Sequence, residues 1–158
     1  MNQNETLIEK FYSSFAARHY AGMLECYHPN IEFAYAVFTL TRKQVGGMWH
    51  MLCESGKDLE VVYSGIQADE TSGQAHWEAR YTFSATGRRV HNIIEARFQF
   101  QDGRIVDHRD RFSFWRWASM ALGPTGLVLG WTPVVRHRVR AAARERLEKF
   151  IQAHPQYQ

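Results

Sequence analysis

Apolar side chains recur at helical spacing near the start of the chain, between residues 3 and 18. They are Leu7, Ile8, Phe11, Tyr12 and Phe15. This spacing places them on one face of an amphipathic helix. Asn2, followed three residues later by Glu5, resembles a capping box and marks the start of that helix. The sequence therefore predicts a first helix over residues 3–18.

Two further helices are predicted before the strand-rich part of the chain. A short helix carries Met23 and Tyr27 and ends before Pro29, because a residue that precedes proline disfavours helical geometry. Thr41 provides a start signal for a third helix, which covers residues 42–55.

Alternating and β-branched patterns fill most of the middle of the chain. Residues 31–38 alternate and are predicted to form a strand that directs to one face Ile31, Phe33, Tyr35 and Val37. Longer strand signals cover residues 58–68, 73–85, 88–101 and 104–117. Helices followed by a run of antiparallel strands indicate an α+β domain.

The C-terminal part changes character again. A glycine-rich link over residues 118–131 leads to Thr132, which can cap a last helix whose first residue is Pro133. An apolar stripe along that helix consists of Val135, Val139, Ala143, Leu147 and Ile151. We expect residues 1–117 to form one domain. Residues 118–158 are expected to form a loop and a basic amphipathic helix that packs on the same domain or on a dimer partner.

The last predicted hairpin can be built with either of two turns. A two-residue turn, Asp102-Gly103, would pair Phe98 with Asp107, which sets an apolar side chain against a charge. A three-residue turn, residues 101–103, pairs Arg97 with Asp107 instead. The three-residue turn is favoured because it also pairs Glu95 with Arg109.

This register directs His108 and Asp110 to the inner face of the sheet, beside Asn92. A lone histidine there is usually an ordinary core residue, but a buried carboxylate is costly unless it is paired or faces a cavity. The pair therefore predicts a site in which Asp110 acts as a general base. The alternative is that the two side chains bond each other and only stabilise the sheet.

Charge is concentrated at the C-terminus. The chain has a formal net charge of +3, yet residues 134–158 alone carry six Lys/Arg against two Glu, and the other 133 residues carry 13 basic and 14 acidic groups. The main body is thus not a nucleic-acid-binding surface, and no nucleic acid is expected as a partner.

Cysteine usage and the N-terminus indicate the compartment. Cys26 and Cys53 lie in predicted helices without metal-ligand spacing, so they are interpreted as reduced, half-buried thiols. The polar N-terminus is unlike a signal peptide, and the least polar stretch, residues 118–131, is too short for a transmembrane segment. We expect a cytoplasmic protein.

Three stretches together resemble the nuclear transport factor 2-like superfamily, in particular its SnoaL-like polyketide cyclase and ketosteroid isomerase-like domains. They are "FYSSFAARHYAGMLECYHPNIEF", "VFTLTRKQVGGMWHML" and "ARFQFQDGRIVDHRDRF", within residues 5–117. The resemblance implies a cone-shaped, curved mixed β-sheet wrapped around the N-terminal helices, here with an extra C-terminal helix. It also implies a deep apolar pocket and a homodimer formed through the sheet.

The resemblance transfers catalytic residues unevenly. Ketosteroid isomerases carry their general base where this chain has Tyr35, and their oxyanion-binding acid where it has Ala96, so both acids are missing. SnoaL-type cyclases use an aspartate in an "HxD" pattern on the last strand, which His108 and Asp110 match. Limonene epoxide hydrolases use an Asp-Arg-Asp set, but Arg109 is predicted to face the other way.

The predicted site has two groups of residues. The catalytic residues are Asp110 as base, with His108 and Tyr35 as hydrogen-bond donors to a developing enolate. The residues predicted to line a cavity for a small apolar or polycyclic ligand are Asn92, Tyr12, Trp49, Trp77, Tyr81, Phe98 and Phe112. No cofactor and no metal are assigned, because a set of His91, His108 and Asp110 would have His91 on the opposite face.

These features predict a cofactor-independent isomerase or cyclase that acts on an apolar carbonyl compound. A non-catalytic ligand-binding or dimerisation module of the same fold is the alternative. The outer sheet face, which carries His91, Ile93, Glu95, Arg97, Arg109 and Arg111, is expected to contribute to the homodimer interface.

Overall fold

A computed structural model of the chain describes residues 1–36 and 38–158. The helices are α1 (Gln3–Ala16), α2 (Tyr20–Leu24), α3 (Lys43–Ser55), α4 (Phe114–Ala121), α5 (Pro124–Leu129) and α6 (Pro133–Gln152), with a final 3-10 turn at Pro155–Tyr157. The strands are β1 (Tyr27–Ala34), β2 (Thr39–Thr41), β3 (Glu60–Ala68), β4 (Ser72–Phe83), β5 (Arg88–Gln101) and β6 (Arg104–Arg111).

The strands form one mixed sheet in the order β2-β1-β6-β5-β4-β3. β1 runs parallel to β6, and the other neighbouring pairs are antiparallel. The sheet is curved and unclosed, and the N-terminal helices lie against it. The predicted α+β fold, with a curved mixed sheet and an added C-terminal helix, is confirmed.

The first helix packs its apolar stripe into the interior. The capping box is present, since the Asn2 side chain accepts from the Glu5 amide and the Glu5 side chain accepts from the Asn2 amide. The buried side chains of α1 are Ile8, Phe11, Tyr12 and Phe15. Their full burial contributes roughly 1.5–3 kcal/mol each for the larger apolar ones, which fixes α1 against the sheet.

The segment after α2 differs from its prediction. Tyr27 is the first residue of β1 rather than part of a helix, and Pro29 lies within that strand. Tyr27 lies opposite Ile105 of β6, and this parallel pairing outweighs the local helical pattern. Cys26 lies in the turn before β1, also outside the predicted helix, and it is buried, as is Cys53.

The first strand also ends earlier than predicted. β1 stops at Ala34, and the Tyr35 amide donates to the Phe38 carbonyl oxygen at 2.9 Å. Tyr35 therefore follows the strand instead of lying in it. Val37, which was predicted to share a face with Tyr35, lies outside the described residues.

The β5–β6 hairpin uses the two-residue turn, so the predicted three-residue turn is wrong. Asp102 and Gly103 both have positive φ, 53° and 74°, as a two-residue hairpin turn of type I′ requires. A bulge then places Val106 as an extra residue between Ile105, which is opposite Phe100, and Asp107. The bulge shifts the alternation by one residue, so Ile105 is fully buried where Val106 was expected.

Because of this bulge the predicted cross-strand pairs are wrong, but the predicted inner face is correct. Arg97 lies opposite Arg109 instead of Asp107, and Asp110 lies opposite Ala96. His108 and Asp110 are both buried on the inner face.

The last strand signal and the glycine-rich link are also shorter than predicted. β6 ends at Arg111, and Ser113 caps α4 by accepting from the Arg116 amide at 3.2 Å. Most of residues 118–131, predicted as a link, lies in α4 and α5. Thr132 caps α6 through the Val135 amide, as predicted.

The C-terminal segment packs onto α3. A Cβ added to Gly46 would lie 3.1 Å from Cε1 of Tyr157, and one added to Gly47 would lie 3.1 Å from Cγ1 of Ile151. These two glycines weaken α3 locally but allow the close approach of the final turn and of α6. None of the helices in the described residues combines the length and the apolar character that a bilayer span requires.

Candidate functional site

The interior of the sheet contains a hydrogen-bonded histidine–aspartate pair. The alternation of β6 directs both side chains inward, and Nε2 of His108 lies 2.9 Å from Oδ1 of Asp110. His108 has no exposed surface and Asp110 keeps 8% of its own. A charged carboxylate at such a depth requires donors, and His108 supplies one of them.

A second set of hydrogen bonds engages Nδ1, the other ring nitrogen of His108. Nδ1 of His108 lies 2.8 Å from the Tyr27 hydroxyl, which in turn accepts from Nε1 of Trp49 at 2.9 Å. Burial, with the charge of Asp110 as a further cause, raises the pKa of Tyr27 well above its ordinary value, so the phenol stays protonated. Since Trp49 can only donate, the Tyr27 hydroxyl is free to donate its own proton to Nδ1. In that arrangement Nε2 of His108 donates to Asp110.

The two oxygens of Asp110 have different surroundings. Oδ1 accepts from His108 and also from Nε1 of Trp77, at 3.3 Å. Oδ2 has no partner among the described residues, and the only fully buried side-chain atom without a partner in that part of the chain is the Tyr12 hydroxyl. Oδ2 must therefore keep access to solvent. Of the two carboxylate oxygens of Asp110, Oδ1 is therefore held by two hydrogen bonds, and Oδ2 by none among the described residues.

Tyr12 contributes an unpartnered donor next to this carboxylate. Burial, with the charge of Asp110 as the next cause, raises the pKa of Tyr12 well above its ordinary value. Its hydroxyl thus remains protonated and is close enough to sense the carboxylate. Leaving such a donor buried and unbonded costs about 1–3 kcal/mol.

Tyr35 lies at the edge of the same region. It follows β1, and burial together with Tyr81 and Asp110 raises its pKa. Its ring lies 5.5 Å from that of Phe38 and 6.2 Å from that of Phe112, measured between centroids. Tyr35, Tyr81 and Phe112 are only partly buried, so they border the more open side of the site.

Asn92 is farther from Asp110 than expected. It lies on the inner face of β5, four residues from Ala96, which is directly opposite Asp110. Four residues along a strand span about 13 Å, so Asn92 is not the partner of the carboxylate. The second donor to the Asp110 carboxylate, beside His108, is instead Nε1 of Trp77.

The remaining predicted lining residues pack against each other and against His108. The centroid of the His108 ring lies 4.5 Å from that of Phe98, 4.9 Å from that of Phe33 and 6.2 Å from that of Trp49. Two surface pockets, of about 510 and 380 Å³, are lined by residues that include neither His108 nor Asp110. Around the pair of His108 and Asp110, which we call the dyad, aromatic rings thus occupy much of the space that a polycyclic ligand would need.

Arg109 and His91, which the sequence analysis considered as possible members of the site, face away from it. Arg109 points outward, where its Nε lies 3.0 Å from Oδ1 of Asp107. Nε2 of His91 lies 2.6 Å from a carboxylate oxygen of Glu78, away from the dyad. Neither residue can take part in the chemistry of Asp110.

The sequence analysis did not predict that Tyr27 bonds His108, or that Trp77 donates a hydrogen bond to Asp110. Tyr27 was assigned to a helix, and that assignment hid its position on the strand beside β6. The signal that could have revealed it is the spacing of Tyr27, Ile31 and Phe33, all of them buried residues of β1.

Comparisons with known proteins agree with this architecture. A family model described as the SnoaL-like domain matches residues 8–108. A search of curated proteins found no match.

Solved structures with the same fold come from several bacteria. A putative SnoaL-like polyketide cyclase from a Jannaschia species is 13% identical, with a TM-score of 0.67 over 77% of this chain and 93% of that one. An LEH-like epoxide hydrolase from M. tuberculosis is 16% identical, with a TM-score of 0.62 over 84% of this chain and 95% of that one. A hypothetical protein with a ketosteroid isomerase-like fold from Catenulispora acidiphila, in complex with trimethylamine, is 9% identical, with a TM-score of 0.65 over 80% of this chain and 97% of that one.

Proposed function

The chain belongs to the SnoaL-like domain family, and from the dyad in its interior we propose that it is a cofactor-independent isomerase or cyclase acting on a small apolar carbonyl compound. The observation that carries this proposal is the asymmetry of Asp110. Its Oδ1 is held by two donors, while its Oδ2 has no hydrogen-bond partner among the described residues and the side chain keeps 4% of its surface exposed.

In the proposed reaction Asp110 is the general base. Oδ2 removes a proton from the carbon next to the substrate carbonyl, and the electron pair of that C–H bond moves toward the carbonyl oxygen to give an enolate. Where the substrate has a C=C bond conjugated with this enolate, return of the proton to the far carbon of the dienolate moves the double bond and completes an isomerisation. Attack of the enolate carbon on a second carbonyl group of the same substrate completes an aldol-type cyclisation, in which the proton returns to the new alkoxide.

The enolate oxygen needs a donor that is not already engaged. The hydroxyl of Tyr12 meets this requirement, because it is protonated, buried and without a partner in the described residues. Tyr35, at the open side, is a second donor within the influence of Asp110. Donors fixed in a water-poor site are effective because little reorganisation is needed when charge develops.

His108 has a positioning role in this scheme. Both of its ring nitrogens are occupied, one by Tyr27 and one by Asp110, so it is not free to donate to substrate. It instead fixes the orientation of the carboxylate, so that Oδ2 points toward the accessible side. This differs from the direct donor role first predicted for His108.

The packing around the dyad favours a small substrate. Phe33, Trp49 and Phe98 surround the His108 ring. The approach to Asp110 is therefore assigned to the side of the partly buried Tyr35, which lies within the electrostatic influence of this carboxylate. The polyketide cyclase and epoxide hydrolase named among the structural neighbours act within the same fold, which is consistent with small-molecule chemistry here.

A non-catalytic ligand-binding module is the second candidate function. In this candidate the hydrogen bonds of His108 to Tyr27 and Asp110 only stabilise the sheet, and no proton transfer is required. In that case a ligand would bind beside Tyr35, at the edge of the site, and would be released without chemical change.

Metabolite co-purification followed by a turnover assay tests the proposal. Compounds retained by the wild-type protein are identified by mass spectrometry and then incubated with wild type, Asp110→Asn and Asp107→Asn. Asp107 is a matched control on the same strand, paired with Arg109 outside the site. We expect wild type and Asp107→Asn to convert an apolar carbonyl compound, and Asp110→Asn to bind it without conversion. A ligand that wild type binds but does not convert would favour the binding module.

A further inference from the structure

We propose that His50, Glu54 and His154 form a binding site for a divalent metal ion, best suited to Zn²⁺, which fastens the C-terminal segment to α3. The site is separate from the dyad and does not depend on the function proposed above. Its ligands come from two distant parts of the sequence, α3 and the residues that follow α6.

The three candidate ligand atoms already converge. One ligand atom from each residue lies within 4.8 Å of the other two. His50 and Glu54 are one helical turn apart on α3, with Nε2 and Oε2 separated by 3.0 Å. Zn²⁺ binds nitrogen and oxygen ligands at about 2.0–2.2 Å, so ligand atoms on one tetrahedral ion lie ~3.4 Å apart. The His50–Glu54 pair already fits this spacing, and a pair at the 4.8 Å limit would have to close by roughly 1.4 Å through side-chain adjustment.

The hydrogen bonds behind the two imidazoles are those that metal-binding histidines require. Nδ1 of His154 donates to the Phe150 carbonyl oxygen at 2.7 Å, which leaves the lone pair on Nε2. Nδ1 of His50 lies 2.9 Å from the Tyr157 hydroxyl, whose oxygen can accept an Nδ1 proton once Nε2 binds a metal. Partners of this kind fix the ring orientation and the tautomer.

The aromatic surroundings hold both rings in place. The Tyr20 ring stacks on His50 with centroids 3.7 Å apart, and the Phe150 ring stacks on His154 at 3.9 Å. The two imidazole centroids are 5.1 Å apart. Rigid imidazoles lose little conformational entropy when a metal binds.

The charges around the cluster are mixed. Glu54 supplies a carboxylate directly beside His50, with Nε2 and Oε2 3.0 Å apart. Arg146 and Lys149 border a surface pocket that also includes Glu54, and they oppose a cation there. Lys149 is partly compensated by Glu145, with Nζ and Oε1 3.1 Å apart.

The ligand set indicates the metal and its role. Two imidazoles and one carboxylate suit Zn²⁺ and leave a fourth position for water. Because 61% of the Glu54 side chain is exposed, an ion can enter from solvent on that side. The ion would tie the final turn to α3, the helix that also carries Trp49 of the dyad network.

Calorimetric titration of zinc chloride into chelator-treated full-length protein tests this site. We expect one Zn²⁺ per chain, with affinity that falls at least tenfold in His154→Ala and in Glu54→Gln. Tyr157→Phe should weaken binding by about 10–100-fold, since it removes the partner of His50 Nδ1. Zinc should also raise the melting temperature of wild type and not that of His154→Ala.

The control is His76→Ala, which removes a histidine of a second His/Glu cluster, on the outer sheet face. It should bind zinc like wild type. The proposal is overturned if wild type binds no zinc, or if His76→Ala loses zinc while His154→Ala keeps it. Glu54 is exposed, so Glu54→Gln decides the outcome if His154→Ala does not fold.

Discussion

Tyr12 and Tyr27 are both fully buried beside Asp110, yet only the hydroxyl of Tyr27 has partners in the described residues. Replacing Tyr27 with Phe would leave Nε1 of Trp49 and Nδ1 of His108 without their hydrogen-bond partner. We expect Tyr27→Phe to lower the free energy of unfolding by about 1–3 kcal/mol.

Tyr12→Phe is the matched comparison, because it removes a hydroxyl that bonds nothing in the free protein. We expect it to leave the free energy of unfolding unchanged or to raise it, while it weakens turnover of the substrate. Chemical denaturation of both variants measures this contrast. Equal losses of stability in Tyr12→Phe and Tyr27→Phe would show that the described hydrogen-bond network is wrong.

At the scale of elements, the hairpin explains which parts of the site could be predicted from the sequence. The inward direction of His108 and Asp110 was predicted correctly, because regular alternation holds between these two residues, whereas Val106 was wrongly placed with them and Ile105 is buried instead. The pairing was not predicted correctly, because it depends on the bulge at Val106, a non-local feature. The Asp-Gly turn is a strong local signal, and the bulge allows that turn to coexist with the buried face.

Helix α4 and the segment after it also show that local sequence patterns cannot predict features that depend on tertiary contacts. Residues 118–131 carry four glycine or proline positions and were predicted as a link, yet Ala118 and Ala121 are fully buried. Tertiary contacts supply the reason, since Thr86 donates to the Ala121 carbonyl oxygen and Nε of Arg88 donates to that of Met120. Local propensity could not reveal these contacts.

The C-terminal elements are predicted to stabilise the whole fold. Truncation after Trp117 removes the burial of Ala118, Val135 and Leu147, together with the contacts of Tyr157 on α3. We expect the truncated protein to melt at a lower temperature or to lose solubility. Scanning calorimetry of full-length and truncated protein measures the difference, and an unchanged melting temperature would make residues 118–158 an independent appendage.

At the scale of the whole molecule, the outer sheet face is predicted to form a homodimer interface. It carries exposed apolar residues, Val62 and Ile93, among the paired charges of His76, His91, Glu78 and Glu95. An isologous contact would cover these side chains with a second copy of the same face. Light scattering at micromolar concentration should give twice the chain mass of 18.4 kDa.

A charge introduced into this face provides the accompanying variant. Ile93→Glu should shift the scattering mass toward the monomer, whereas Val128→Glu, at an exposed position on α5, should not. A monomeric wild-type protein would refute the predicted interface.

Deuterium incorporation from D₂O, followed by NMR, measures proton removal by Asp110 most directly, because it needs no knowledge of the final product. Wild type, Asp110→Asn and Asp107→Asn are incubated with a panel of small apolar ketones, and exchange at the carbon next to the carbonyl is recorded. We predict exchange above the buffer rate for wild type and Asp107→Asn, with a loss of about 10²–10⁴-fold in Asp110→Asn. Exchange by folded Asp110→Asn at the wild-type rate would contradict the assignment of Asp110 as the base.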